Sequence, residues 1–219
     1  MTLSRRDLEE GRMRALYAAT VSAHGALTDQ DLAASLAATI ARRPAHAGWW
    51  VFAYGSLLWN PLFPFMESRP ATLHGVHRRF CLWSKASRGT CEQPGLVLGL
   101  EPGGSCRGVV YRLPDAQVHE ELTLLWRREM VTGAYHPRWM RVRSGTRTLT
   151  ALAFVVDRKH VQYAGGLSVD EQVKALACAA GAFGSSADYL EHTRIALITH
   201  GIVDPYLETL AAKIARRRR

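Results

Sequence analysis

Two short stretches of this sequence combine residue types that could carry out chemistry. Tyr54, Gly55, Ser56 and Leu57 end a short apolar run. The run is typical of a buried strand, and the glycine and serine that break it leave backbone N–H groups at the strand end. Such amides can hold a small anion where side chains would be in the way. Glu129 then offers a carboxylate to act on whatever this loop holds.

A helix predicted for residues 115–130 would position Glu129. Its buried stripe consists of apolar side chains at helical spacing: Val118, Leu122, Leu125 and Trp126. Glu129 continues the stripe, so its side chain is predicted to face the interior. The other charged side chains of the helix lie off the stripe and are expected to face water: Glu120, Glu121, Arg127 and Arg128.

An inward-facing carboxyl group can serve catalysis or structure. Burial disfavours the charged form and raises the pKa, so such a glutamate can accept and return a proton near neutral pH. The helix pattern is equally compatible with a structural glutamate that is paired with Arg79, with Arg141 or with a backbone N–H.

Length and composition favour one globular domain with a sizeable core. The chain has 219 residues, of which 47% are hydrophobic, as is ordinary for such proteins. No apolar run approaches the roughly 20 residues that span a bilayer. The charged N-terminus has no apolar secretion signal, so we expect a cytoplasmic protein without a membrane partner.

Several partner classes are disfavoured by the residue patterns. The four cysteines are scattered without paired spacing, which indicates idle thiols and no metal site. The net charge of +9 would attract a small anion, but it is spread along the chain outside residues 216–219. No nucleic-acid-binding motif accompanies it, so no specific nucleic-acid partner is predicted. The sequence does not indicate an oligomeric state.

The hydrophobic periods predict an α+β protein. Residues 1–47 are predicted to form a helical N-terminal arm with a second helix after Thr28, residues 48–215 the main domain and residues 216–219 a basic tail. In the main domain, six or seven strands would form a small mixed-sheet β-barrel flanked by helices. The predicted strands include separate ones at 96–100 and 107–113, joined by a turn at 101–104, and a hairpin around 144–145.

Motifs in a fixed order along the chain resemble those of ChaC-type γ-glutamylcyclotransferases. The resemblance covers roughly residues 49–210. It rests on Tyr54-Gly55-Ser56-Leu57 with Trp59-Asn60-Pro61, Arg78-Arg79-Phe80, Arg88-Gly89-Thr90, residues 103–113, Arg128-Glu129 with Gly133-Ala134-Tyr135, and Tyr163-Ala164-Gly165.

This resemblance implies the γ-glutamylcyclotransferase-like fold and cleavage of glutathione to 5-oxoproline and cysteinylglycine, with no metal or organic cofactor. It also implies that Glu129 is the catalytic residue and that Tyr54, Gly55, Ser56 and Leu57 form the substrate loop. Weaker candidates, for binding the distal part of the peptide, are Arg79, Tyr163, Arg88 and Trp83. A surface or core role is equally compatible with each of them.

Two other functions remain open at this point. One is a cyclotransferase for another γ-glutamyl compound, which no residue in the sequence distinguishes from the first. The other is a non-catalytic regulator or nucleic-acid binder that uses the basic surface and the terminal arginines, which would bind with strong salt dependence.

Overall fold

Five strands form a closed barrel in the order β1-β3-β2-β4-β5. The computed structural model describes residues 3–21 and 26–217. β1 pairs with β3 in antiparallel and with β5 in parallel orientation, which closes the barrel. The strands are β1 (Trp50–Ala53), β2 (Glu67–Ser84), β3 (Gly95–Arg112), β4 (Tyr135–Ser144) and β5 (Arg147–Val156); β6 (Ala180–Gly181) and β7 (Gly184–Ser185) pair separately.

The helices lie outside the barrel, so the predicted α+β barrel with a helical N-terminal segment is confirmed. The barrel has five strands where six or seven were predicted, because residues 95–112 form one strand and β6 and β7 pair apart from the barrel. Thr28 and Ser168 begin their helices with reciprocal capping boxes, which satisfy amides that the helix itself leaves without acceptors. The helices are α1 (Arg5–Glu9), α2 (Arg12–Val21), α3 (Asp29–Ala41), α4 (Val118–Glu129), α5 (Val169–Cys178), α6 (Ser186–Thr199) and α7 (Pro205–Arg217). In the described residues, none of these helices is long and apolar enough to cross a membrane.

The prediction of two strands with a turn at residues 101–104 is wrong. β3 continues through this segment and stays paired with β2 on both sides of it, with Pro102 opposite Val76 and Ser105 opposite His74. Gly103 and Gly104 have φ angles of 97° and 70°, a region that L side chains rarely adopt. The glycine pair therefore forms a bulge in a long strand.

β1 is the strand that presents the candidate substrate loop. All of its residues are buried, because β1 lies between β3 and β5 and has both faces covered. Phe52 and Phe154 are among the largest fully buried side chains, and burying each such ring contributes roughly 1.5–3 kcal/mol. The end of β1 at residue 53 is thus fixed firmly by the barrel core.

Candidate active site

The loop after β1 begins a single 3-10 turn, residues 56–58. The Leu58 amide donates to the Gly55 carbonyl at 2.9 Å. The amides before Leu58 lie at the start of the turn, where no carbonyl of the turn can accept from them. The buried side chain of Arg78, which is 1% exposed, anchors the loop, because its Nε donates to the Tyr54 carbonyl at 2.6 Å. The loop is therefore rigidly anchored, with backbone donors at its tip.

Gly55 is required by close packing. A Cβ at this position would lie 2.7 Å from the Tyr189 hydroxyl oxygen and 3.6 Å from Leu98 Cβ. Tyr189 comes from α6 and is itself buried, so it cannot easily move aside. The absence of a side chain at residue 55 allows α6 and the loop to approach each other.

Glu129 is the last residue of α4, and the structure places its side chain inward with 14% of it exposed. Burial raises the pKa of its carboxyl group above the ordinary glutamate value. The neighbouring guanidinium of Arg128 acts in the opposite direction, and burial prevails. A raised pKa moves the carboxyl group toward the range in which it can exchange protons near neutral pH.

Arg128 was expected to face water, and that expectation is wrong. Its side chain is 5% exposed, and its Nε lies 3.1 Å from Glu129 Oε1. Its Nη2 donates to Ser56 Oγ at 2.9 Å, and its Nη1 donates to the Asn60 carbonyl. The loop supplies polar partners that a helix pattern cannot reveal, so this arginine links the carboxyl group to the loop.

A pocket of about 110 Å³ joins Glu129 to the loop. Two tyrosines of its wall have their hydroxyls occupied: Tyr54 donates to the Phe154 carbonyl and Tyr135 to the Leu98 carbonyl, both at 2.8 Å. These rings therefore form rigid walls rather than free proton donors.

Arg88 adds a second guanidinium to this pocket. The residue is 7% exposed, and its guanidinium carbon lies 5.4 Å from the centre of the Trp59 ring and 5.3 Å from that of Tyr189. Within residues 3–21 and 26–217 the structure gives it no carboxylate partner, and its Nη1 makes a 3.5 Å contact with the Ser185 carbonyl. Its charge thus remains available to an anionic ligand.

Arg79 and Tyr163 are not brought to this pocket. Arg79 Nε lies 3.4 Å from Glu101 Oε2 and its Nη2 donates to the Leu167 carbonyl at 2.8 Å. Tyr163 donates its hydroxyl to the same Glu101 carboxylate. The two residues form a separate cluster, whereas the other two distal candidates, Trp83 and Arg88, do line the pocket.

The arm residues Leu3, Met13 and Tyr17 also line the pocket, which the sequence reasoning missed. The arm reaches α4 through Arg5, whose Nη1 lies 2.7 Å from the carboxylate of Glu121. Glu121 was expected to face water and is instead 3% exposed, because α1 covers this side of the helix. Only the helical spacing of residues 8–17 hinted that one face of the arm is apolar.

Taken together, the pocket holds one buried carboxyl group, two guanidiniums and several backbone donors between aromatic walls. This combination suits an anionic substrate whose reaction needs proton transfer and stabilisation of a developing negative charge. Among the residues that the structure describes, no group of three histidine, cysteine or acidic side chains could hold a metal ion.

Comparison with known proteins agrees with this arrangement. A family model described as ChaC-like protein matches residues 49–217. The chain belongs to this family. A relative from Escherichia coli K12, named "Glutathione-specific gamma-glutamylcyclotransferase", is 44% identical over 188 residues, which cover 85% of this chain and 81% of the relative. A zebrafish protein (Danio rerio), named "Glutathione-specific gamma-glutamylcyclotransferase 1", is 31% identical over 174 residues, covering 75% and 88%.

The fold of the ChaC-like chain also matches a solved structure. A crystal structure of a yeast "gama glutamyl cyclotransferease specific to glutathione" superimposes with a TM-score of 0.72 at 24% sequence identity, covering 78% of this chain and 97% of that one. This structural similarity supports the assignment of the fold.

Proposed function

We propose that this protein is a glutathione-specific γ-glutamylcyclotransferase, which converts glutathione to 5-oxoproline and cysteinylglycine. The observation that carries the proposal is the buried Glu129 carboxyl group, linked by Arg128 to the anchored loop at Ser56. The names of the Escherichia coli and zebrafish relatives support the choice of substrate.

The reaction needs little chemical machinery. In glutathione the α-amine of the γ-glutamyl group can attack its own γ-carbonyl carbon, close a five-membered lactam and expel the amine of the cysteine residue. Holding one chain folded on itself can contribute roughly 7–11 kcal/mol relative to a bimolecular reaction. The enzyme therefore has to supply a base, a site that fixes the folded chain and donors for the oxyanion.

Glu129 is assigned the proton transfers. The α-amine is mostly protonated at neutral pH and becomes nucleophilic only after it loses a proton, which the carboxylate accepts. The same group then protonates the leaving nitrogen, because an amide nitrogen leaves poorly as an anion. A carboxyl pKa raised by burial suits both steps.

The loop of Tyr54, Gly55, Ser56 and Leu57 is assigned the substrate carboxylate or the developing oxyanion. Each donor of this kind is worth about 3–4 kcal/mol in the transition state. Because Arg128 already donates to Ser56 Oγ, the hydroxyl hydrogen points elsewhere and is available to the substrate. Ser56 has no need to act as nucleophile, since the substrate carries its own.

Two of the four candidates for binding the distal part of the peptide are left out of the proposed site. We leave Arg79 and Tyr163 outside the proposed substrate site because both are engaged with Glu101. We further propose that residues 48–215 form the catalytic domain, that residues 1–47 form an arm packed on it and that residues 216–219 are a basic tail, of which the last two lie outside the described residues. Neither a specific nucleic-acid partner nor a membrane partner is part of the proposal, and we place the enzyme in the cytoplasm.

The test is product detection. Purified protein should convert glutathione to 5-oxoproline without added metal, and Glu129→Gln should keep the fold and lose nearly all turnover. A panel with γ-glutamyl-alanine and a γ-glutamylamine separates the alternative substrate class, since preference for either over glutathione would favour that class. Full activity in Glu129→Gln would remove Glu129 from the mechanism.

A further inference from the structure

The N-terminal arm lies outside the segment that the family model matches, residues 49–217, yet it forms one side of the pocket. Leu3, Met13 and Tyr17 line it together with the loop and Glu129. The arm is fixed there at several points: the Leu3 carbonyl accepts from Asn60 Nδ2 at 2.8 Å, and Arg5 pairs with Glu121. A segment docked in this way belongs to the site and does not merely cover it.

Tyr17 is connected to Arg88 by a chain of buried hydroxyl groups. The Tyr17 hydroxyl lies 3.1 Å from Ser87 Oγ, which lies 2.8 Å from Ser84 Oγ, and that oxygen accepts from the Arg88 amide at 2.9 Å. Tyr17 is 7% exposed, and the two serines are also buried. The chain therefore fixes the backbone from which the Arg88 side chain extends.

Arg88 is the charged group that this chain positions. Its guanidinium stacks on Trp59 and Tyr189, an arrangement that orients an arginine without neutralising it. The Asp188 amide on α6 donates to Ser185 Oγ at 3.0 Å, and the Asp188 carboxylate attracts Arg88 from nearby but forms no ion pair with it. A buried guanidinium without a carboxylate partner has a strong requirement for an anion.

We infer that the arm is part of the substrate site and that Tyr17 is a positioning residue, which through Ser87 and Ser84 sets Arg88 to bind the distal carboxylate of the peptide substrate. The inference rests on the proposed function. A γ-glutamyl tripeptide carries two carboxylates; the one beside the reacting amine must lie near Glu129 and the loop. Of the two guanidiniums in the pocket, Arg128 is already paired with Glu129, so Arg88 is left for the second carboxylate, at the far end of the peptide.

The experiment measures binding in the Glu129→Gln background, so that turnover does not obscure affinity. Calorimetry gives the Kd of glutathione and of its C-terminal amide, which lacks the distal charge. We expect the parent to bind glutathione more tightly than the amide, and Arg88→Gln to raise the Kd of glutathione about tenfold or more with little effect on the amide. Tyr17→Phe and Ser87→Ala should each raise the Kd of glutathione about three- to fivefold and reduce the same preference.

A double variant tests the connection. If Tyr17 acts through Arg88, Tyr17→Phe should add little once Arg88→Gln is present. Tyr206→Phe is the matched control, because it removes another tyrosine hydroxyl, on a partly buried side chain, that is bonded to Gln172 Oε1 at 2.6 Å and lies away from the pocket. It should leave both Kd values unchanged.

Three results would overturn the inference. The first is an unchanged Kd of glutathione in both Tyr17→Phe and Ser87→Ala. The second is that Arg88→Gln weakens the binding of glutathione and of the amide equally, and the third is that the effects of Tyr17→Phe and Arg88→Gln on the Kd of glutathione are fully additive. Failure of the proposed function looks different. In that case the wild-type protein would not produce 5-oxoproline from glutathione, whichever of glutathione and its amide binds more tightly.

Discussion

Arg128 donates a hydrogen bond of 2.9 Å to the Ser56 hydroxyl while its Nε remains 3.1 Å from the Glu129 carboxylate. One buried guanidinium thus bridges a carboxyl group at the end of α4 and a loop that follows β1. The bridge couples the position of the proposed base to the position of the proposed oxyanion donors.

The first prediction concerns pH. Because burial raises the pKa of Glu129 above its ordinary value of 4.5, the acidic limb of kcat/KM should lie above pH 4.5. The rate should fall as the pH decreases through that pKa, since protonation removes the base. A pH–rate profile with glutathione measures this limb, and a midpoint at or below 4.5 would contradict the assignment.

The same pKa has a consequence for stability. The folded state holds this proton more tightly than the unfolded state, so Glu129 should lower the free energy of unfolding as pH rises from about 4.5 through the raised pKa. Glu129→Gln lacks this titration. Denaturant unfolding of both proteins across pH 4–8 should therefore show the wild type losing stability relative to the variant as pH rises, and parallel curves would refute the claim.

Replacing Arg128 tests the bridge. Arg128→Lys keeps the charge, but a single ammonium group cannot contact Glu129, Ser56 and the Asn60 carbonyl at once as the planar guanidinium does. We expect kcat/KM for glutathione to fall about 10- to 100-fold, mostly in kcat, as the loop loses its link to the base. Arg194→Lys is the control, because Arg194 is also ion-paired but lies outside the pocket; an equal loss there would point to a general effect on folding.

Gly55→Ala should disturb the loop through one contact. The new methyl group would lie 2.7 Å from the Tyr189 hydroxyl oxygen, closer than Cβ atoms are found to approach, and a shift of about 1 Å at a catalytic loop can cost about 100-fold in rate. Tyr189→Phe removes that oxygen, so the double variant Gly55→Ala/Tyr189→Phe should recover part of the lost kcat/KM. If the double variant folds but its kcat/KM does not recover, this contact is not the cause of the loss in Gly55→Ala.

Tyr163→Phe should leave turnover of glutathione within about twofold of wild type. The hydroxyl donates to Glu101 outside the pocket, so its loss should appear in thermal unfolding, at about 1 kcal/mol or less for this partly exposed pair, and not in kcat/KM. A tenfold loss of kcat/KM with glutathione would return Tyr163 to the substrate site.

The sequence predicts those parts of the site that depend on local periodicity. The inward direction of Glu129 follows from the 3.6-residue period of its helix, and the loop at Gly55 follows from the break in an apolar run. The barrel with outer helices also follows from the order of strands and helices together with the ChaC resemblance. The signals for Glu129 and for the loop each lie within a window of about 20 residues, whereas the barrel is indicated only by patterns that extend along most of the chain.

The remaining parts depend on contacts between distant segments. Arg128 is buried because Ser56 and Asn60 meet it, and these are 72 and 68 residues away. Tyr17 is held in the pocket by a hydrogen bond with Ser87, which lies 70 residues further along the chain. No local period encodes such pairs. A proline followed by two glycines is likewise typical of both a turn and a bulge, and only the continuous pairing of β2 and β3 decides between them.

The packing of α3 matters to anyone who wishes to work with the barrel alone. Trp126 Nε1 donates to Ser35 Oγ at 3.2 Å and Trp139 Nε1 to the Thr39 carbonyl at 2.8 Å, and Leu32 and Leu36 join the main core. A shortened chain that starts at residue 48 would lack α3. It would expose Trp126 and Trp139 to solvent, together with the apolar groove in which Leu32 and Leu36 pack. Such an uncovered apolar surface promotes self-association, so trimming to the family-matched segment would give an aggregation-prone protein.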